Sequence, residues 1–190
     1  MSNTRVPVEL RRSYKLLNHG PTTLVSAAHG GRQNVMAAAW VMALDFEPPK
    51  LAAVLAADTY TRELAVAAGQ LVINIPTVSQ AELTYQLGSV SGRDVDKLRE
   101  YGVAVAPGSR VDAPLVEGCV GWLECVIHPE PHMAEAYDLF VCEVVAAWAD
   151  PEVWNGREWD WANPAKRTLH HSAGGVFFAI GERLQVSRPE

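Results

Sequence analysis

Asn34-Val35-Met36-Ala37-Ala38-Ala39-Trp40 is the stretch on which the reading of this chain turns. It sits in a predicted strand over 33–42. That strand is preceded by a β-branched, alternating run at 22–28 and a His29-Gly30-Gly31-Arg32 turn, where glycine supplies positive φ without steric cost. The three alanines leave room for a flat ring to approach the strand backbone and bond main-chain N–H and C=O groups along its edge. A strand packed under a helix uses small residues equally well.

Working outward, Pro48-Pro49 breaks the chain, and 51–57 is a short apolar run read as a buried strand. Thr61 is predicted to cap a helix reaching Ala68, with Gly69 as its stop, and 71–75 is a strand closed by Pro76. Ser79-Gln80-Ala81-Glu82 fits a capping box for a helix ending at Leu87, with Gly88 as terminator. Ser91-Gly92-Arg93-Asp94 fits a looser form, opening a helix over 91–101 that stops at Gly102. The second half reads as β. Runs over 119–127 and 137–148 flank a polar Pro129-Glu130-Pro131-His132 loop, Asn155-Gly156 marks a hairpin turn, and 176–180 is a last strand. With no repeat and no long linker, residues 1–190 are expected to form one domain. The predicted architecture is mainly β, an antiparallel barrel or sandwich carrying a few helices.

The bulk numbers narrow the function. At 190 residues, 48% hydrophobic and 20% charged, the chain suits a globular domain with a real core. A formal charge of −6 argues against general nucleic-acid binding. Residues 1–12 lack the apolar centre of a signal peptide, and the longest apolar run, 35–44, is about half a membrane span. Cys119, Cys125 and Cys142 form no CxxC pair and read as buried thiols in a reducing compartment, so the expectation is a cytoplasmic protein without membrane contact.

Two donor-rich turns carry the chemistry. Gly88-Ser89-Val90-Ser91-Gly92-Arg93 leads toward Lys97, combining free backbone N–H groups, the Ser89 and Ser91 hydroxyls and two cations, which together suit a phosphate. Thr59-Tyr60-Thr61-Arg62 is a second such start about thirty residues earlier, and an arginine in a first helical turn opposes the dipole unless an anion offsets it. The plain alternative at each is a capped helix with surface ion pairs. His128 and His132 are separated by proline and offer no helical metal face, so no metal site is expected. His170 and His171, just before Gly174-Gly175, could place one ring on a cofactor or nicotinamide. Adjacent residues on an extended segment point to opposite sides, however, and the preferred reading is solvated loop residues. Trp148, Trp154, Trp159 and Trp161 suit an aromatic lid or, preferably, an interface. No acid–base pair or nucleophile motif is evident, and no side chain is singled out as catalytic.

In order, Asn34-Val35-Met36-x-x-x-Trp40, Phe46-x-Pro48-Pro49, Tyr60-Thr61-Arg62-Glu63-Leu64, Val72-Ile73-Asn74-Ile75-Pro76 and Ser91-Gly92-Arg93-Asp94-x-Asp96-Lys97 resemble the flavin reductase-like family with its FMN-binding split barrel, flavoredoxins included. The resemblance runs from about Leu16 to Glu182, with Glu143-Val144-Val145-Ala146-Ala147 and Gly174-Gly175-Val176-Phe177-Phe178 as its late part. It implies a homodimer of six-stranded Greek-key antiparallel split barrels with FMN near the subunit interface. It implies that Asn34, Met36, Ala37, Ala38, Ala39 and Trp40 line the isoalloxazine. Thr59, Thr61, Arg62, Ser89, Ser91, Arg93 and Lys97 would hold the phosphate end, with Asn74 carried over beside them. Many relatives carry Thr or Ser before the Trp position. Ala37-Ala38-Ala39 here leaves only backbone donors on that strand. The expected function is an FMN-dependent oxidoreductase taking hydride from NAD(P)H. The alternatives are a flavoredoxin-type electron carrier without NAD(P)H turnover and a non-catalytic FMN-binding module.

Overall fold

The computed structural model describes residues 4–187 of the 190. In chain order the elements are β1 (Val6–Pro7), β2 (Thr23–His29), β3 (Arg32–Ala38), β4 (Val41–Phe46), β5 (Pro49–Val54), α1 (Tyr60–Ala68), β6 (Gln70–Ile75), α2 (Ala81–Ser89), α3 (Lys97–Glu100), β7 (Val105–Ala106), β8 (Leu115–Val116), β9 (Gly121–Ile127), α4 (Pro131–Tyr137), β10 (Leu139–Ala149), β11 (Leu169–Ala173) and β12 (Val176–Ala179).

One antiparallel sheet dominates, in the order β3-β2-β6-β9-β10-β5-β4, with β1 added beside β10. Its two end strands, β3 and β4, are consecutive in the chain and joined only through Ala39 and Trp40. The sheet must therefore curl until its ends approach. Val54 N donates to Trp40 O at 3.0 Å, holding β5 to that link. The result is a barrel split between β3 and β4. This matches the mainly β, antiparallel split-barrel expectation.

Period-two alternation explains both cores. Val25, Ile73 and Leu123 point into the barrel with Leu51, Phe140 and Val144. Their neighbours Leu24, Val72 and Trp122 point the other way, under a layer built from Leu87, Val111, Leu115 and Val116. With both faces covered, the central strands read as continuous apolar runs rather than clean alternations.

Several boundaries differ from the sequence reading. The strand predicted over 33–42 is two strands, because the chain crosses the split at Ala39–Trp40. The cap of α1 is Thr59, not Thr61; Thr61 is fully buried, while Gly69 ends the helix at φ 68° as expected. Thr77 and Gln80 form the capping box two residues before the predicted one. Helix α2 then runs through Gly88 to Ser89. Gly88 is not a terminator; it is where helix and strand meet, since an added Cβ would lie 3.2 Å from Ala37 Cβ. The predicted helix over 91–101 is mostly turn, and only Lys97–Glu100 is helical, capped by the Asp96 carboxylate. The predicted loop over 129–132 is loop only to Glu130, and Pro131 opens α4. His170 and His171 lie on β11, which pairs with β12 in a separate two-stranded arm.

Candidate functional site

The split produces a cleft. Met36, Ala37 and Ala38 at the end of β3, then Ala39 and Trp40, form one wall, and Val54 and Ala56 extend it from β5. Helix α2 supplies the facing wall through Thr84, Tyr85, Gly88 and Ser89. Thr22 and the arm residues His171, Gly174 and Phe177 complete a space of about 500 Å³. That lies within the general size range of small-molecule sites, about 300–1,000 Å³. No Asp, Glu, Lys or Arg is among the lining residues. Hydroxyls, one imidazole, the Trp40 indole N–H and main-chain groups are the polar features, so the cleft suits a flat, largely apolar ring with a hydrogen-bonding edge.

Six of the residues expected from sequence meet here: Met36, Ala37, Ala38, Ala39, Trp40 and Ser89. The remaining eight lie elsewhere. Asn34 and Arg93 line an adjoining depression of about 470 Å³ with Tyr60 and Gly92. Arg93 reaches Asp58 O at 2.6 Å and the Glu63 carboxylate at 2.9 Å. Ser91 Oγ accepts from Arg93 N at 3.2 Å, shaping the turn.

The others are held by internal partners. Thr59 Oγ1 donates to Ala56 O at 2.8 Å, and Thr61 Oγ1 accepts from Asn34 Nδ2 at 2.8 Å. Arg62 pairs with Asp138 and donates to Ala134 O at 3.0 Å and Leu55 O at 3.2 Å. It thereby binds the end of α4 to the barrel. Asn74 is fully buried; its amide donates to Leu24 O and Ser26 Oγ and accepts from Val116 N. From β6 it links β2 of the main sheet to β8 of the separate β7–β8 pair. Lys97 Nζ donates to Leu87 O at 2.6 Å and Val35 O at 3.2 Å, joining α2 to β3 behind the cleft. Burial lowers its pKa to about 8, because the charged form is partly stripped of water.

Tertiary folding brings in Thr22, Thr84 and Gly88, which sequence reasoning missed, and His171, for which it preferred a solvated loop. Thr22 Oγ1 accepts from His171 N at 2.7 Å, which fixes the arm over the cleft. His171 Nε2 lies 2.9 Å from Gly174 O, with its ring 5.3 Å from that of Phe177. Thr84 and Gly88 are four apart on α2 and so share a face. That spacing was the one available signal, and the reading of Gly88 as a terminator hid it.

Of the tryptophans between 148 and 161, Trp154 is buried and the other three are half-buried. Trp154 is 4% exposed and meets Trp159 edge-on, and Trp159 stacks on Trp161 at 4.9 Å. His19 packs beside them and its pKa falls to about 4, chiefly through burial and then through neighbouring His170. Trp148 Nε1 donates to Glu124, a buried carboxylate that also accepts from the backbone N–H groups of Ser109, Arg110 and Val111. Among the described residues no cluster of three or more His, Cys, Asp or Glu could hold a metal ion, and no helix is long and apolar enough to cross a membrane.

The family model for the flavin reductase like domain matches residues 17–163. The uncharacterized protein YddH of Escherichia coli (strain K12) is 42% identical over 182 residues, covering 94% of this chain and 96% of its own. The crystal structure of an FMN-binding domain of a flavin reductases-like enzyme from Shewanella baltica OS155 superposes with a TM-score of 0.95 at 48% identity, covering 98% of this chain and 100% of that one. Flavoredoxin of Desulfovibrio vulgaris (Miyazaki F) gives a TM-score of 0.77 at 26% identity over 88% of this chain and 90% of its own.

Proposed function

Since the chain belongs to the flavin reductase-like domain family, we propose that it is an FMN-dependent oxidoreductase that takes reducing equivalents from NADH or NADPH and delivers them to an acceptor. The observation that carries this reading is the cleft at the barrel's split, with a wall made of alanine and main chain. Bound there, FMN supplies the hydride-accepting centre, and the protein's part is binding, orientation and exclusion of water.

The residues present fit that task. Ala37, Ala38 and Ala39 keep side chains short where a ring must lie against the backbone. Ser89 at the end of α2 and Arg93 in the adjoining depression mark a path by which a phosphate-bearing tail leaves the cleft. Arg93 is about half exposed and already engaged by the Glu63 carboxylate and Asp58 O, so its use for a phosphate requires those exposed contacts to open. Arg62 and Lys97 are better assigned to holding the walls together than to the phosphate.

A homodimer belongs to the same proposal. Trp40, Met42, Leu44 and Phe46 are 74%, 59%, 51% and 61% exposed along edge strand β4, an apolar ridge of the kind that a second copy covers. Trp40 belongs both to the ridge and to the cleft, so dimerisation would close the site on its open side.

The test is spectroscopic. Purified protein, or apoprotein given FMN, should carry a flavin spectrum, and anaerobic addition of NADH or NADPH should bleach it. A flavin-loaded protein bleached by neither nicotinamide is an electron carrier or binding module and rejects the reductase reading. Protein that takes up no FMN rejects the flavoprotein reading itself.

A further inference from the structure

Most side-chain polar groups of the cleft are either engaged or out of reach. Ser89 Oγ donates to Tyr85 O at 2.7 Å, Thr22 Oγ1 accepts from His171 N, and His171 Nε2 is at Gly174 O. Thr84 is 0% exposed, beyond the reach of a ligand. Two groups remain, the Tyr85 hydroxyl and the Trp40 indole N–H, neither with a partner among the described residues. Both belong to accessible side chains, 47% and 74% exposed.

Their positions separate their roles. The two walls pinch together where Gly88 meets Ala37, and Tyr85 and Trp40 each lie three residues from that contact, on opposite walls. Trp40 begins the apolar ridge assigned above to a second copy, so its indole is shared with that surface. Tyr85 stands on α2 under the turn of the β11–β12 arm. A Cβ on Gly175 would lie 3.7 Å from Tyr85 Cζ, the atom that carries the hydroxyl. The phenol tip therefore sits between α2 and the arm, next to Gly174, which lines the cleft.

A flavin held against the alanine wall turns its other face toward α2 and the arm. A second flat molecule stacked on that face meets the Tyr85 hydroxyl, with Phe177 of the arm as an apolar neighbour. No charged residue lines the cleft, so the part that enters is uncharged. A phenolic O–H donates to an oxygen acceptor, and a single polar group in an apolar site fixes orientation. We propose that the Tyr85 hydroxyl donates to the carbonyl oxygen of a flat, uncharged ring stacked on the bound flavin, and so orients the cofactor's reaction partner. The carboxamide of a reduced nicotinamide and a ring-conjugated carbonyl acceptor share that chemistry. This rests on the FMN reading above.

The experiment titrates oxidised, FMN-loaded wild type and Tyr85→Phe with benzamide, benzaldehyde and toluene, following the visible band of the flavin. The three probes share a flat ring and carry a carboxamide, an aldehyde and no carbonyl. Wild type should bind at least one carbonyl probe about tenfold more tightly than toluene, the value of one hydrogen bond. Tyr85→Phe should lose that preference. Its toluene affinity, FMN affinity and melting temperature should match wild type, since the hydroxyl has no partner within the fold. Loss for benzamide alone assigns the position to the nicotinamide, for benzaldehyde alone to the acceptor, and for both to each in turn; all three bear the inference out. A wild type that binds neither carbonyl probe, or binds toluene equally well, overturns the inference without any variant and leaves the FMN reading standing. A preference retained in Tyr85→Phe also overturns it. If Tyr85→Phe weakens FMN itself, the hydroxyl belongs to the flavin and the inference is overturned. Protein that takes up no FMN removes the FMN reading and the inference with it.

Discussion

His19 and Lys97 are single groups whose pKa values burial lowers alike, and both leave the same sign in stability. His19 is held near pKa 4 by burial and by His170, with its ring nitrogen 2.9 Å from Thr168 Oγ1. The unfolded chain binds a proton there at ordinary histidine pH and the folded chain does not. Stability contributed by the neutral ring is complete above the unfolded value of about 6.5 and is lost as pH falls toward 4. His19→Gln should flatten the acid limb of a urea-midpoint profile between those pH values. An unchanged limb would place the acid sensitivity elsewhere. Lys97 has a folded pKa of about 8, below its unfolded value of 10.5, so its buried charge is a penalty that is relieved as pH rises between them. Lys97→Met should remove that rise. Because its ammonium joins α2 to β3 behind the cleft, the substitution should weaken FMN and riboflavin together. Selective loss of FMN would instead restore Lys97 to the phosphate.

Between residue and domain, the turn after α2 shows how one element's shape depends on another's side chain. A Cβ on Gly92 would lie 2.3 Å from Asn34 Oδ1, and the Asn34 amide is the group bonded to buried Thr61. Gly92→Ala must therefore displace Asn34 and loosen the contact between α1, β3 and the turn. A loss of about 1–3 kcal/mol follows from leaving that buried pair unmade, read as a lower urea midpoint with an unchanged slope. A cost below about 0.5 kcal/mol would show that the turn moves freely instead. The same turn explains what local signals could not reveal. Ser91-Gly92-Arg93-Asp94 has the composition of a helix start, but the glycine is there for close approach to Asn34, and the helix waits for Asp96. Gly88 misled for the reverse reason: it looks like a stop and is a helix interior residue kept small for Ala37. A glycine's neighbours across the fold, not its sequence flanks, decide which of these it is. By contrast Gly69, Gly102 and the Gly30-Gly31 turn were legible, since their positive φ answers a purely local demand.

At the scale of the molecule, the exposed ridge on β4 is the feature that a lone chain leaves unsatisfied. Met42→Asp with Leu44→Asp should keep a single protomer's fold, both side chains being more than half exposed, and shift the species seen by light scattering from dimer to monomer. A wild type that is already monomeric would remove the proposed interface. Sequence alone determined the antiparallel class, the order of strong strands and the family, because period-two alternation, turn glycines and an ordered series of short motifs survive in one dimension. It also identified the alanine wall, whose character is its composition. What only the tertiary structure decided is which polar groups face the cleft. Arg62, Asn74 and Lys97 have donors suited to a ligand, but strands and helices distant in the chain bring carbonyls and a carboxylate to them first. Thr84 has nothing in its flanks to mark it, and only the fold buries it in the cleft wall on the face of α2 that meets β3.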